Sequence, residues 1–152
     1  MSLTTLLTSD LIAIAPPWHT FPATIAGLVD LMVTAKTLAP GRRQDVREAV
    51  ALREADGSTA VPEIAVGVPH ARVAGLAGPI AALAVAPDGL YEPVPTVRVR
   101  IVALLVSPTA ATEAHLKLLA GVATTLRSAL LRGALLAAPT PATALAILQQ
   151  HG

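Results

Sequence analysis

Hydrophobic positions along this chain fall into short runs whose period switches repeatedly between that of a strand and that of a helix. Asp10 to Ala15 is a short apolar run closed by Pro16 and Pro17, and it predicts a first strand. Thr20 then offers an N-cap and Pro22 a first-turn proline, with Ile25, Leu28, Val29 and Met32 spaced along one helical face; this helix is predicted to stop at Pro40 and Gly41. A second helix begins near Arg42, carries Val46, Ala49, Val50 and Arg53 on one side, and ends before Asp56 and Gly57. Ile64 to Val68 reads as a short buried strand ended by Pro69. Pro79 to Ala86 predicts another strand, closed by the turn residues Pro87, Asp88 and Gly89. In Val97 to Val106, Arg98 and Arg100 alternate with Val97, Val99 and Ile101 before a fully apolar finish, the pattern of a strand exposed in its first half and buried in its second. From Thr112 one long helix is predicted, with Leu116, Leu119, Ala120, Ala123, Leu126 and Leu130 on its inner face and Arg132 and Gly133 at its end. A last helix opens at Thr140 and Pro141. Helices alternating with strands imply a layered α/β domain whose sheet is covered by helices.

Composition narrows this picture. At 152 residues the chain is expected to form one domain, spanning 1–152, with a single core. It is 53% apolar but only 2% aromatic, so that core must be built from Ala, Leu, Val and Ile. Mean hydropathy is +0.63, yet Pro79, Pro87, Arg132, Pro139 and Pro141 cut the apolar runs before the roughly 18–20 residues of a membrane span. Met1 to Asp10 lacks the basic and apolar regions of a secretory signal, and the expected location is cytoplasmic. A net charge of +1, with arginines scattered apart from Arg42 and Arg43, gives no basic face, and one Phe, one Tyr and one Trp give few stacking platforms, so nucleic acid is not an expected partner. The absence of cysteine removes disulfides, thiolate metal sites and cysteine nucleophiles. The four histidines, His19, His70, His115 and His151, show no close metal-ligand spacing, and neither a metal nor a cofactor is expected.

Candidate chemistry starts at Val68, Pro69, His70, Ala71 and Arg72, where an imidazole follows an apolar run and a proline that restricts the chain's path into it. A strand end opening into a loop suits a nucleophile; the same histidine could instead cap the strand by bonding to backbone. Arg53 alone reads as a favourable charge at a helix C-terminus, and His115 alone as a surface residue in a first turn. His19 and His151 have no supporting neighbours, and Arg42 and Arg43 read as solvated charges.

Three segments in order change the weighting. They are Leu52 to Thr59, with its Arg53–Glu54 pair ahead of Gly57, Ser58 and Thr59; Val68 to Arg72; and Glu113 to Leu119 around His115 and Leu116. From about Thr20 onward the chain resembles the fructose/mannitol-type enzyme IIA of the bacterial phosphoenolpyruvate-dependent sugar phosphotransferase system, including its nitrogen-regulatory branch. The resemblance implies a mixed, mainly parallel sheet with helices on both faces. It also implies that His70 accepts a phosphoryl group from the carrier HPr and passes it to a separate IIB component, with His115 and Arg53 as the supporting active-site pair. In the regulatory alternative, phosphorylation of His70 switches affinity for a partner protein. Either way the unit would be peripheral to a membrane permease at most. The sequence departs from the family pattern at Glu63 and Gly67, where Gly or Ala and Ala are more usual, and Thr59 to His70 looks one residue longer.

The residue types suit that chemistry on their own terms. A neutral imidazole is a free nucleophile near pH 7 and forms a reactive N-phosphoryl adduct. Phosphoryl transfer runs through a loose in-line transition state, so donors aimed at the equatorial oxygens matter most. Arg53 would supply a planar fork, His115 a second donor with first-turn N–H groups beside it, and Ser58 or Thr59 a hydroxyl. Ala71, Val73, Ala74 and Leu76 are expected to form a shallow apolar patch on which the donor carrier docks.

Overall fold

In the computed structural model, which describes residues 2–151, six strands form one mixed sheet. They are β1 (Ile12–Ile14), β2 (Ala60–Val61), β3 (Val66–Gly67), β4 (His70–Val73), β5 (Ile80–Val85) and β6 (Ile101–Pro108). The order is β1-β5-β6-β3-β2, and β4 also pairs with β6. β1 runs parallel to β5, and β3 and β4 parallel to β6, while β5–β6 and β2–β3 are antiparallel. The helices are α1 (Leu3–Leu6), α2 (Phe21–Thr34), α3 (Arg43–Ala55), α4 (Thr112–Arg127), α5 (Ala129–Ala137) and α6 (Pro141–His151). α2 and α3 pack on each other, with α2 against β5 and α3 against β4, whereas α1, α4, α5 and α6 form a second contiguous group. Helices thus cover both faces, as the sequence pattern and the resemblance imply.

The core is what an aliphatic, aromatic-poor composition demands. Ala81 to Ala84 and Val102 to Val106 are fully excluded from solvent on the central antiparallel pair, where alanines on β5 let α2 approach closely. Thr20 caps α2 by accepting from the Ala23 N–H at 3.1 Å, and Ile25, Leu28, Val29 and Met32 are buried as the periodicity predicts. The helix ends at Thr34, before Pro40, because Lys36 adopts φ +64° and the N–H groups of Thr37 and Leu38 turn back onto the Met32 carbonyl.

The run from Val97 is a strand only from Ile101. Upstream, Val99 is buried and Arg98 and Arg100 are exposed, so the alternation is correct, but the backbone pairs locally: Leu90 N–H donates to Val99 O and Val99 N–H to Tyr91 O. The long helix predicted from Thr112 breaks at Ser128, where α4 and α5 meet at 79°. Ser128 is the N-cap of α5, accepting from the Leu131 N–H at 3.2 Å, and Arg132 donates to the Leu126 and Arg127 carbonyls at 2.8 and 2.7 Å. An arginine that reads as a helix end therefore covers the orphan carbonyls of the helix before it. The buried face of α4 is also rotated from the expected one: His115, Leu118, Val122 and Leu126 face inward, while Leu116 is 60% exposed and, in α5, Leu130 is 75% exposed. Alanine and leucine on every side of this segment give two faces of similar hydropathy, and packing selects between them. No single helix among the described residues is long and apolar enough to cross a membrane.

The most consequential correction lies at Pro69. The strand expected over Ile64 to Val68 is reduced to Val66–Gly67, because Pro62–Ile64 form a 3₁₀ turn and Ala65 takes a left-handed conformation at φ 55°. Nor does the strand line end at the proline. Val66 and Gly67 pair with Ile101 and Val102, and His70 to Val73 with Leu105 to Pro108, in one unbroken register. Proline forfeits one ladder N–H but its φ fits an extended chain, and its carbonyl still accepts from the Leu105 N–H at 3.1 Å. His70 therefore stands at the start of a strand and not in a loop. The departure at Gly67 has a packing cause as well: a Cβ there would collide with the Tyr91 hydroxyl, which is buried against it. Tyr91 is in turn fixed by Phe21, edge to face with ring centroids 5.0 Å apart.

Candidate functional site

β4 runs along β6 as a short segment at the border of the sheet, between the C-terminal half of α3 and the first turns of α4. The space above it is an open cleft of about 1070 Å³ lined by His70, Arg72 and Ala71 from β4, Leu52, Arg53 and Asp56 from α3 and its end, and Thr112, His115, Leu116 and Leu119 from α4. Residues from three separated segments of sequence thus meet, and the three residues expected to carry the chemistry, Arg53, His70 and His115, all line this one cavity.

His70 is half-buried, and its Nδ1 lies 2.8 Å from the Val68 carbonyl oxygen. A carbonyl can only accept, so Nδ1 carries the proton and donates, which leaves the lone pair on Nε2. The backbone contact that would make this histidine a simple strand cap is therefore also what sets its nucleophilic nitrogen. His115 is buried, not the surface residue its first-turn position suggests. Its Nδ1 lies 2.7 Å from Ser107 Oγ, and its ring centroid is 5.5 Å from that of His70 with the planes inclined at 56°. Burial, then the positive charge that His70 can carry, then Arg72 hold the His115 pKa below its ordinary 6.5.

That shift has a definite sign for stability. Where the unfolded chain has begun to protonate this ring, the folded protein keeps it neutral, so stability falls as pH drops through 6.5 and levels off below the lower, folded value. Urea unfolding of the wild type is expected to show this loss between about pH 7.5 and pH 5.5, and His115→Gln to show a smaller loss over the same interval. An equal acid loss in the two proteins would assign it to other groups.

Arg53 reaches the cleft from the last turn of α3, with Nη1 donating to the Gly57 carbonyl at 2.9 Å. Ser58 and Thr59 do not line the cavity. Ser58 Oγ accepts from the Ala60 N–H at 3.2 Å, while the Thr59 N–H and hydroxyl both donate to the Glu54 carboxylate, at 3.0 and 2.5 Å. The Arg53–Glu54 pair thus clasps the turn that follows it from two sides. The expected docking patch is also redrawn: Val73 is buried, and so is Ala71 although it borders the cleft, while Ala74 is exposed and Leu76 half-buried beyond the strand. Arg42, expected to be merely solvated, holds this segment by donating to the Ala74 carbonyl at 2.7 Å, and Arg43 pairs with Asp30.

Arg72, named in the motif around His70 but given no role, stands at the site together with Thr112 and Ser107, to which the sequence assigned no chemistry. Arg72 shares the His70 face of β4, two residues on, and its Nη1 donates to Thr112 Oγ1 at 2.6 Å, across to the first residue of α4. The exposed leucines Leu52 and Leu116, 76% and 60% exposed, border the same cleft. Among the described residues no group of three or more His, Asp or Glu side chains gathers as a metal site.

The sequence matches, over residues 5–151, the family described as phosphoenolpyruvate-dependent sugar phosphotransferase system, EIIA 2. The chain belongs to that family. No curated protein sequence matches it. Among solved structures, the nitrogen regulatory protein IIA-Ntr of Neisseria meningitidis superposes with TM-score 0.81 at 23% identity, covering 96% of this chain and 98% of that one. The mannitol-specific cryptic phosphotransferase enzyme IIA of Escherichia coli gives 0.76 at 16%, covering 99% of each. The Escherichia coli mannitol IIA solved in complex with phosphorylated mannitol IIB gives 0.73 at 14%, covering 95% and 97%. This EIIA type 2 chain shares their mixed α/β architecture across nearly its whole length.

Proposed function

We propose that this EIIA type 2 protein is a phosphocarrier that takes a phosphoryl group onto His70 Nε2 from the phosphohistidine of an HPr-like donor and gives it to a separate IIB component. The observation that carries this reading is the pair of histidine rings 5.5 Å apart in one open cleft, with His70 Nδ1 committed to a backbone carbonyl. In the first transfer the Nε2 lone pair attacks phosphorus, a new N–P bond forms, and the donor's N–P bond breaks with its electron pair returning to the donor ring. In the second, the IIB side chain attacks and His70 recovers its lone pair. Arg53, Arg72 and His115 line the same cleft as His70 and would supply donors to the three equatorial oxygens of the transferring group.

The test is incubation with phosphorylated HPr, followed by mass spectrometry. Gain of one phosphoryl group at His70 is expected; no gain overturns the reading. Onward transfer to a IIB domain is the outcome expected of a transport component, whereas a phosphoprotein that keeps its phosphate in the presence of IIB domains and changes its affinity for another protein would be the regulatory alternative.

Docking of the carrier is assigned to the leucines at the cleft border in place of the buried β4 positions. A transient partner needs a modest apolar contact around the reacting groups. Leu52→Asp and Leu116→Asp are expected to slow phosphorylation by phospho-HPr by about tenfold, the effect of roughly 1.4 kcal/mol, while reaction with acetyl phosphate changes far less. Equal slowing with both donors would remove the docking role.

A further inference from the structure

Ser107 ends the fully buried run of β6. It is 1% exposed, and the six residues before it, Ile101 to Val106, are all apolar and buried. A hydroxyl at the end of such a run needs a partner, and the one it has is the Nδ1 of His115, itself 6% exposed. The hydroxyl can donate or accept. If it accepted from Nδ1–H, its own proton would be buried without an acceptor. If it donates to the Nδ1 lone pair, only oxygen lone pairs go unused, which a buried site tolerates better than an orphaned donor.

We propose that Ser107 is a positioning residue whose hydroxyl donates to His115 Nδ1 and so holds this ring in the tautomer with hydrogen on Nε2, the nitrogen left to serve the cleft. The two histidines are then set in opposite tautomers by their fixed partners. Val68 O takes the Nδ1 proton of His70 and leaves a nucleophilic Nε2; Ser107 supplies a proton to His115 Nδ1 and leaves a donating Nε2–H. A burial-lowered pKa favours the neutral ring on which this division depends. That the Nε2–H serves a phosphoryl oxygen rests on the carrier reading above; the tautomer does not.

The experiment is long-range ¹⁵N–¹H correlation on the full chain labelled at histidine nitrogen. His115 is expected to show a pyrrole-type Nε2 and a pyridine-type Nδ1, and His70 the reverse. In Ser107→Ala the His115 signals are expected to move toward tautomer-averaged positions, and transfer from phospho-HPr to slow by roughly 10- to 100-fold, the range for losing a partner that orients a histidine. Ser107→Thr, which keeps the hydroxyl, is expected to restore the His115 pattern. A pyrrole-type Nδ1 at His115 in the wild type, or an unchanged pattern in Ser107→Ala, overturns the assignment. Should Ser107→Ala fail to fold, the wild-type tautomer and the Ser107→Thr spectrum decide. A wild type with the expected tautomers that takes no phosphate from phospho-HPr would remove the carrier reading and leave the role of Ser107 in place.

Discussion

Exchange of His70 for alanine is expected to abolish phosphorylation by phospho-HPr while leaving a folded protein. On the proposed carrier reading the imidazole is itself the acceptor: His115 presents a donating face, Arg53 and Arg72 are not nucleophiles at neutral pH, and the Asp56 carboxylate and Thr112 hydroxyl that also line the cleft are not expected to take a phosphoryl group from a phosphohistidine donor in its place. The structural cost is small by comparison. The substitution removes a half-buried ring and one hydrogen bond to the Val68 carbonyl, about 0.5–1.5 kcal/mol, but not the backbone pairing of β4, which Ala71, Val73 and their partners on β6 hold in register. Intact mass after incubation with phospho-HPr is expected to rise by one phosphoryl group in the wild type and by none in His70→Ala, with similar circular dichroism spectra. Acid-labile phosphate on the variant would move the acceptor elsewhere.

Most of the architecture was legible because the elements obey local rules. The Thr20 cap with Pro22 and the four-residue face of α2, the run that becomes β5, and the alternation before β6 each carry their own signal. What the sequence left ambiguous was decided by contacts between distant segments. Whether the chain leaves the sheet at Pro69 depends on β6 lying alongside to receive it, and the sequence around Pro69 is silent on that neighbour. The break at Ser128 depends on Arg132 folding back onto the carbonyls of α4, and an alanine- and leucine-rich helix offers no polar stripe to say which face is inward.

At the site, Arg53, His70 and His115 were legible because the segments that carry them resemble a family pattern in their order, and the structure brings all three to one cleft. Ser107 was not, since a serine closing a buried strand carries no chemistry until a histidine eight residues later is brought over it by the turn into α4. Ser58 and Thr59 illustrate the opposite case. Hydroxyls beside a catalytic-looking arginine read as ligands, but Glu54, one helical turn earlier, engages Thr59 more strongly than an open cleft could, and the Ser58 hydroxyl is occupied by its own turn.

The second large effect is expected at His115, and it separates a proton donor from a spacer. His115→Ala removes the Nε2–H that the proposed tautomer assigns to the cleft, and leaves the buried Ser107 hydroxyl without its partner. Losing one preorganised donor to the transferring group is expected to slow phosphorylation of His70 by about 10²–10³-fold, with the modified residue unchanged. His115→Gln retains a planar side chain with an N–H donor at its tip, and an amide oxygen that can accept from Ser107, so it is expected to recover a substantial part of the lost rate. Arg53→Ala in the His115→Ala background is expected to cost less than its effect alone, because on the carrier reading both groups would act on one phosphoryl group and their contributions would not be additive. Single-turnover transfer from phospho-HPr, followed by quenched-flow sampling and mass analysis, measures the wild type, His115→Ala, His115→Gln, Arg53→Ala and the Arg53→Ala/His115→Ala double variant on one scale. A wild-type rate in His115→Ala would reduce the second histidine to a packing residue, and a glutamine variant no faster than the alanine one would show that ring shape, and not the donated proton, is what the cleft requires at this position.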